Sequence, residues 1–436
     1  MKIEISKEDS EYMYNIIKKI IDECGPRMPC SPQEAKAAEI IKKELEETCD
    51  SVEMEPFTCH PRAALGWIRV DVFLVMLSFS CFFLVQLFLT SFWALILAII
   101  IFGLNLLAFL FEWYEFFNYK EFIDPFFKKK SSQNVIGKFT AEKETKNIII
   151  FSGHTDSQYQ FNLLTYLKGA YGIIALLGIG ILFLWLWVSL IFLSLTIITF
   201  IMGLPIIYEA FFNIAIWFLI IGGIPLITLI FYTSPGERAN KVPGAVDNLS
   251  AVAVVLGLGR YLKKNKDIIP KNTEIRLISF GCEEAFLRGA FRYVDTHLEE
   301  LKEHNTECIN IEIIQNKDKI IIWNFEPTTR THHSEELVQK VYKAIESVDI
   351  KAKISRMGGD STLERLIGIT SGGSDATAFS KSDIKACTIT AGELLKISEF
   401  WHTPRDSFDK IEQGALENAL RVCIGYLINE SKKEMI

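Results

Sequence analysis

"NIIIFSGHTDSQYQ" (residues 147–160) joins two kinds of sequence that seldom meet. A β-branched apolar run ends at Gly153, and His154 and Asp156 follow, two residues apart. Such a run reads as a strand buried on both faces. On extended backbone, residues two apart point to the same side. A metal-friendly pair therefore closes a strand just before the chain becomes hydrophobic enough to enter a bilayer.

Working outward, "NVIGKF", "EIRLISFG" and "CINIEII" are further short, nearly continuous apolar runs. They alternate with helical patterns: "AKAAEIIKKELEE", introduced by Ser31 and Pro32, "SAVAVVLGLGRYLKK" and "ELVQKVYKAIESV". Strand–helix alternation predicts an α/β fold, a mixed, mostly parallel sheet with helices on both faces. "LGLGR" (256–260) is too short and misplaced for a dinucleotide fingerprint and reads as helix packing.

Three stretches, 72–111, 169–208 and 210–236, contain no Asp, Glu, Lys or Arg. Each is longer than the roughly 20 residues a membrane span needs. The chain thus divides into soluble pieces at 1–66, 117–167 and 235–436, with transmembrane inserts at 67–116 and 168–234. If the soluble pieces build one unit, each insert leaves and returns on the same side and holds an even number of spans. The first insert suits a hairpin turning near residues 89–93. The second suits two long helices turning near Gly203 and Pro205, or three segments with one re-entrant. Arg62, Arg69, Lys120, Lys128, Lys129, Lys130, Lys168, Arg238 and Lys241 flank the inserts on the soluble side, which places that side in the cytoplasm.

A formal charge of −7 argues against nucleic acid as a partner. The first twenty residues carry charges throughout and show no cleavable signal peptide. Nine cysteines without a CxxC pair read as reduced thiols in a cytosol-facing protein.

Ligands collect at the carboxyl edge of such a sheet. Polar clusters occupy that edge: "GHTDS", "GAVDNLSA", "FGCEEAF" and "EFWHTPRDSFDKI", with Glu312 inside "CINIEII". Each has a plainer reading alone. Asp247 could cap a helix, Glu283–Glu284 could be an exposed acidic turn, and His402 could be a structural histidine between aromatics. Together, two imidazoles and three carboxylates suit Zn2+ or a similar divalent ion. One bridging carboxylate would make them sufficient for two metals about 3.5–4 Å apart.

At "GHTDS", "PGAVDNLSAVAVVLGLGRYL", "ISFGCEEAFLRGA", "NIEII", "GGSDATAF" and "WHTPRDSFDKI", the chain resembles the co-catalytic di-zinc exopeptidases. These include leucyl-type aminopeptidases, glutamate carboxypeptidases and glutaminyl cyclases. The resemblance covers the soluble pieces in order and skips both inserts. It implies that His154 and Glu312 bind one zinc, that Glu284 and His402 bind the other, and that Asp247 bridges them. Glu283 would be the general base, Asp156 would orient His154, and Asp375 would lie at the substrate pocket.

Three departures stand out. Glu312 replaces the common aspartate, Val246 stands where a second aspartate is common, and Ala376 stands where histidine is common. The expected substrate is a peptide, hydrophobic or membrane-derived, reached by a site held close to the lipid bilayer. Competing readings are a non-catalytic membrane-anchored scaffold and a glutaminyl-cyclase-like acyltransferase. A transporter is poorly supported, because Glu209 is the one ionisable residue inside the second insert.

Overall fold

The computed structural model describes residues 3–85, 87–88, 92–168, 170–202, 208–392 and 397–434. The chain forms two compact units. One comprises Met1–Pro61, Lys128–Gln160 and Pro235–Ile436, and the other Arg62–Phe127 and Phe161–Ser234.

The first unit is built on one nine-stranded sheet. Its strands are β1 (Ser51–Cys59), β2 (Lys130–Phe139), β3 (Asn147–His154), β4 (Thr273–Phe280), β5 (Asn305–Ile314), β6 (Lys319–Glu326), β7 (Thr331–His332), β8 (Lys351–Arg356) and β9 (Lys385–Ala391). The order is β1-β2-β4-β3-β5-β9-β6-β7, with β8 also paired to β6. The central strands β4, β3, β5 and β9 run parallel, while β1, β2 and β6 join antiparallel at the margins. The sheet is therefore mixed, with a parallel centre.

The apolar central strands are covered on both faces, as continuous hydrophobic runs require. One face packs against the helices Lys7–Cys24, Pro32–Glu46, Ser250–Lys264, Glu335–Ser347 and Ala415–Glu434. The other packs against Arg288–Glu303 and Ala376–Ser380. Ser31 starts its helix as expected, its side chain accepting the Glu34 N–H at 3.1 Å. "LGLGR" lies in the helix Ser250–Lys264, where a Cβ at Gly257 would meet Met13 Sδ at 2.8 Å. The glycine permits close helix approach.

Five helices are long and apolar enough to cross a membrane: Ala63–Val85, Phe92–Phe116, Ala170–Met202, Ala210–Phe231 and Ala245–Lys264. The last is 89% buried, against 33–44% for the others, and is a core helix of the sheet unit. The other four lie in the second unit and display Phe73, Trp93, Trp187, Ile191 and Trp217 on their surface. Surface aromatics and aliphatics at this density suit lipid rather than water. Inside this unit Trp185 stacks on Phe79 at 4.1 Å between ring centroids. The expected turn residues 89–91, Gly203 and Pro205, and the Glu209 side chain, lie outside the described residues.

Candidate metal centre

β3 ends at His154, and β4 is followed by the turn that carries Glu283 and Glu284. Ser152 pairs with Asn310 on β5, so Glu312, two residues further on, shares the face and level of His154. The turn before the helix Ser250–Lys264 brings Asp247, and the segment after β9 brings His402. All five groups lie at the carboxyl edge of the parallel strands.

Asp247 sits between the two histidines. Its Oδ1 is 3.2 Å from His154 Nε2, and its Oδ2 is 3.2 Å from His402 Nε2. His154 Nε2 also faces Glu312 Oε1 at 3.6 Å and Glu283 Oε2 at 3.8 Å, while His402 Nε2 faces Glu284 Oε1 at 3.4 Å. Ligand atoms of His154, Glu283 and Glu312, and of His154, Asp247 and Glu284, converge closely enough to hold an ion. Glu283, expected as a base, is thus within ligand range of the first cluster as well.

A buried group of this composition needs a cation. His154 is fully buried, and its Nε2 has no hydrogen-bond partner among the described residues. Glu284 Oε1 is likewise buried without one. Desolvation, reinforced by like charges, raises Glu283 and Glu312 well above the usual carboxylate range. Burial alone would lower both histidines, yet the surrounding carboxylates overcome it. His402 rises to about 9 under the charges of Glu284 and Asp247. Burial opposes ionisation of Asp247, but the two imidazoles hold it below its ordinary value. Imidazole and carboxylate donors in this arrangement fit zinc.

The supporting contacts are as specific as the cluster. Asp156 is fully buried, and its backbone carbonyl lies 3.1 Å from His154 Nδ1. Its carboxylate, 3.4 Å from Nδ1, accepts the Glu283 and Glu284 N–H groups at 3.1 and 3.0 Å. Asp156 therefore orients His154 largely through its main chain and fixes the glutamate turn through its side chain. Glu312 accepts a hydrogen bond from Asn248 Nδ2, and Gln158 Nε2–H donates to Glu284 Oε2 at 2.6 Å. Trp401 Nε1–H donates to Asp247 Oδ2 at 2.8 Å, and its ring stacks on His402 at 3.7 Å. The Asp247–Asn248 peptide is cis.

Asp375 begins the helix Ala376–Ser380, fully buried, with neither carboxylate oxygen hydrogen-bonded among the described residues. Burial, then the charges of Asp156, Glu326 and Glu284, push it up to about 8. Glu326 anchors the preceding residue through Ser374 N–H at 2.9 Å and is itself paired with His333 at 3.0 Å. Val246 and Ala376, where the pattern departs from expectation, are both fully buried.

Peptidase family M28 matches residues 232–427, a stretch containing Asp247, Glu283, Glu284, Glu312, Asp375 and His402. Aminopeptidase YwaD of Bacillus subtilis (strain 168) is 28% identical over 209 residues, 47% of this chain. Over this stretch the chain is similar to a peptidase family and to an aminopeptidase. The match spans 42% of that relative's length. The exopeptidase-like fold is also that of the aminopeptidase from Aneurinibacillus sp. strain AM-1, with a TM-score of 0.52, 16% identity, and 97% and 93% of the two chains covered. The zinc aminopeptidase BSAP of Bacillus subtilis gives 0.51 at 14%, covering 97% and 95%. The glutaminyl cyclase of Fimbriiglobus ruber gives 0.54 at 11%, covering 98% and 97%.

Proposed function

We propose that this chain is a membrane-embedded, zinc-dependent exopeptidase of the aminopeptidase type, hydrolysing peptides at a two-metal site that faces the cytoplasm. The observation that carries the reading is Asp247, whose two oxygens each face a histidine at 3.2 Å. A carboxylate so placed suits a bridge, with His154 and Glu312 holding one ion and Glu284 and His402 the other. When bound, zinc supplies Lewis acidity to the scissile carbonyl and to water.

The chain's own residues do the rest. Glu283, raised by desolvation and neighbouring carboxylates, takes the proton of the attacking water on its carboxylate and returns it to the departing amine. Asp156 keeps Glu283 and Glu284 aimed by accepting both of their N–H groups. Asp375 serves the substrate end of the pocket.

Four helices of the second unit cross the bilayer as two hairpins, from the inserts 67–116 and 168–234, and the basic residues beside them stay in the cytoplasm. The helix Ala170–Met202, at about 1.5 Å per residue, exceeds a 30 Å core and tilts or projects. The second unit's later segment begins at Phe161, seven residues after His154. The substrates of this reading are hydrophobic or membrane-derived peptides.

A glutaminyl-cyclase-like acyl transfer is the second reading, favoured by the structural likeness to solved glutaminyl cyclases. The test is full-length protein loaded with zinc and offered free and end-blocked peptides, beside Glu283→Gln. The expected result is two zinc ions per chain, release of amino-terminal residues, and a loss of about 10²–10⁴ in turnover for the variant. Equal turnover by the variant refutes the base. One zinc with cyclisation of amino-terminal glutamine selects the second reading, and less than one zinc selects a non-catalytic scaffold.

A further inference from the structure

Three of the nine cysteines, distant in sequence, meet inside the first unit. Cys30 Sγ lies 3.2 Å from Cys282 Sγ and 3.5 Å from Cys59 Sγ, and all three sulfurs lie within 4.8 Å of one another. All three residues are buried, Cys282 completely. They come from the loop before the helix Pro32–Glu46, the last residue of β1, and the turn after β4.

The convergence is built. Cys30 and Cys282 both hold left-handed backbone, with φ of 56° and 53°, unusual for residues with a Cβ. One buried carboxylate, Glu34, secures both: its Oε2 accepts the Cys30 N–H at 2.7 Å and its Oε1 the Cys282 N–H at 2.9 Å. Local backbone preference is thus overridden at two positions whose side chains then point at a third thiol. Simple core filling needs neither device, since an apolar side chain on relaxed backbone would occupy the same space. Arg288 and Arg292 bring positive charge toward Cys59, which suits thiolates.

We propose that Cys30, Cys59 and Cys282 form a third metal site, separate from the carboxylate–imidazole cluster, that takes a thiophilic d10 cation, Zn2+ or Cu+. Soft sulfur ligands select these ions over harder ones. Sulfurs bonded at about 2.3 Å to one tetrahedral ion lie roughly 3.8 Å apart, so the observed triangle needs to open by only about half an ångström. As each sulfur–metal bond forms, the thiol proton passes to the buffer. Cys282 directly precedes Glu283 and Glu284. An ion here ties β1 and the Cys30 loop to the turn that presents both glutamates, making it structural support for that turn.

Full-length protein in detergent, isolated anaerobically with reductant, is analysed for metals, then stripped by chelation and reloaded with Zn2+, Cu+ or Cd2+ in separate arms. The expected result is an ultraviolet sulfur-to-cadmium charge-transfer band in the wild type. Cys59→Ser loses that band and one equivalent of metal, whereas Cys81→Ser and His154→Ala keep the band. Copper retained on isolation, or zinc that Cys59→Ser loses and His154→Ala keeps, identifies which d10 ion the site takes, and either supports it. No band in cadmium-loaded wild type overturns the proposal whatever the folding of the variants. Two of the three sulfurs found joined as a disulfide in the isolated protein also overturns it. Because His154→Ala addresses the other cluster, loss of the thiolate site and loss of the peptidase reading are separately visible.

Discussion

Asp406 holds Asp247 in place from 159 residues away in sequence, accepting the Val246 N–H on Oδ1 at 2.8 Å and the Asp247 N–H on Oδ2 at 3.1 Å. It thereby fixes the peptide that carries the proposed bridging carboxylate. Its own side chain is fully buried. Asp406→Ala should weaken zinc binding by about 10–100-fold, the usual effect of removing a group that orients a ligand. Isothermal titration of metal-stripped protein reads this directly. Unchanged affinity would mean that the turn at Asp247 is rigid without Asp406.

Arg27 makes a different kind of support. Fully buried, it donates to four backbone carbonyls: Thr155 O at 2.9 Å, Gly25 O at 2.9 Å, Pro243 O at 2.8 Å and Gly244 O at 3.1 Å. It ties the segment after β3 to the turn before Asp247. A Cβ at Gly244, where φ is +60°, would meet Arg27 Nη2 at 2.9 Å, so the arginine fits only against glycine. Arg27→Met keeps volume but leaves these carbonyls unsatisfied, at about 1–3 kcal/mol for each one stranded. The expected outcome is a midpoint temperature lower by roughly 5 °C or more, measured by thermal unfolding of the full chain. A shift within error would show that the turn is held by other contacts.

Much of this was legible in the chain because apolar period and turn chemistry are local. The runs at 147–153 and 308–314 lie within β3 and β5, and "SAVAVVLGLGRYLKK" is the helix Ser250–Lys264. β1, "SVEMEPFTC", was not, since its charged residues and Pro56 disguise a marginal strand paired on one side to β2. The residues that hold the site were missed for another reason. Arg27, Glu326 and His333 act through partners up to 217 residues away, and no spacing rule encodes such pairings. Asp406 left a faint signal, four residues after His402 in "WHTPRD". The thiol cluster left none, because its members sit at 30, 59 and 282 without a CxxC pair.

His297 supplies a pH-dependent contribution to stability outside the metal centre. Its Nε2 lies 2.6 Å from Glu55 Oε1 and its Nδ1 3.3 Å from Glu300 Oε2, with Arg276 and Tyr293 also packed nearby. The hydrogen bond to Glu55 raises its pKa above the ordinary value, although burial opposes this. The proton is therefore bound more tightly in the folded state. That stabilisation is fully present below the unfolded value of about 6.5 and is lost as pH rises through the higher folded value. His297→Gln should accordingly unfold at lower temperature than wild type near pH 6 and converge with it in alkaline buffer. Parallel melting curves across that range check the sign, and a gap that widens with rising pH would contradict it.

Within the apolar unit, one hydroxyl serves two helices. Ser78 Oγ accepts from Asn105 Nδ2 at 2.7 Å and from Trp185 Nε1 at 2.9 Å, linking Ala63–Val85 to Phe92–Phe111 and Ala170–Met202. All three side chains are buried. Their donors have no water to turn to if this region lies in lipid, which makes the hydroxyl matter more than its size suggests. Ser78→Ala strands the Trp185 N–H and one of the two Asn105 Nδ2 hydrogens, the other donating to Ile101 O at 2.8 Å, and should cost about 1 kcal/mol, in the range measured for hydrogen bonds between membrane helices. Ser78→Thr keeps an oxygen and should recover most of that loss. Unfolding in mixed micelles compares the three proteins, and equal stability of Ser78→Ala and wild type would mean that Phe79 stacking on Trp185 suffices to hold the helices together.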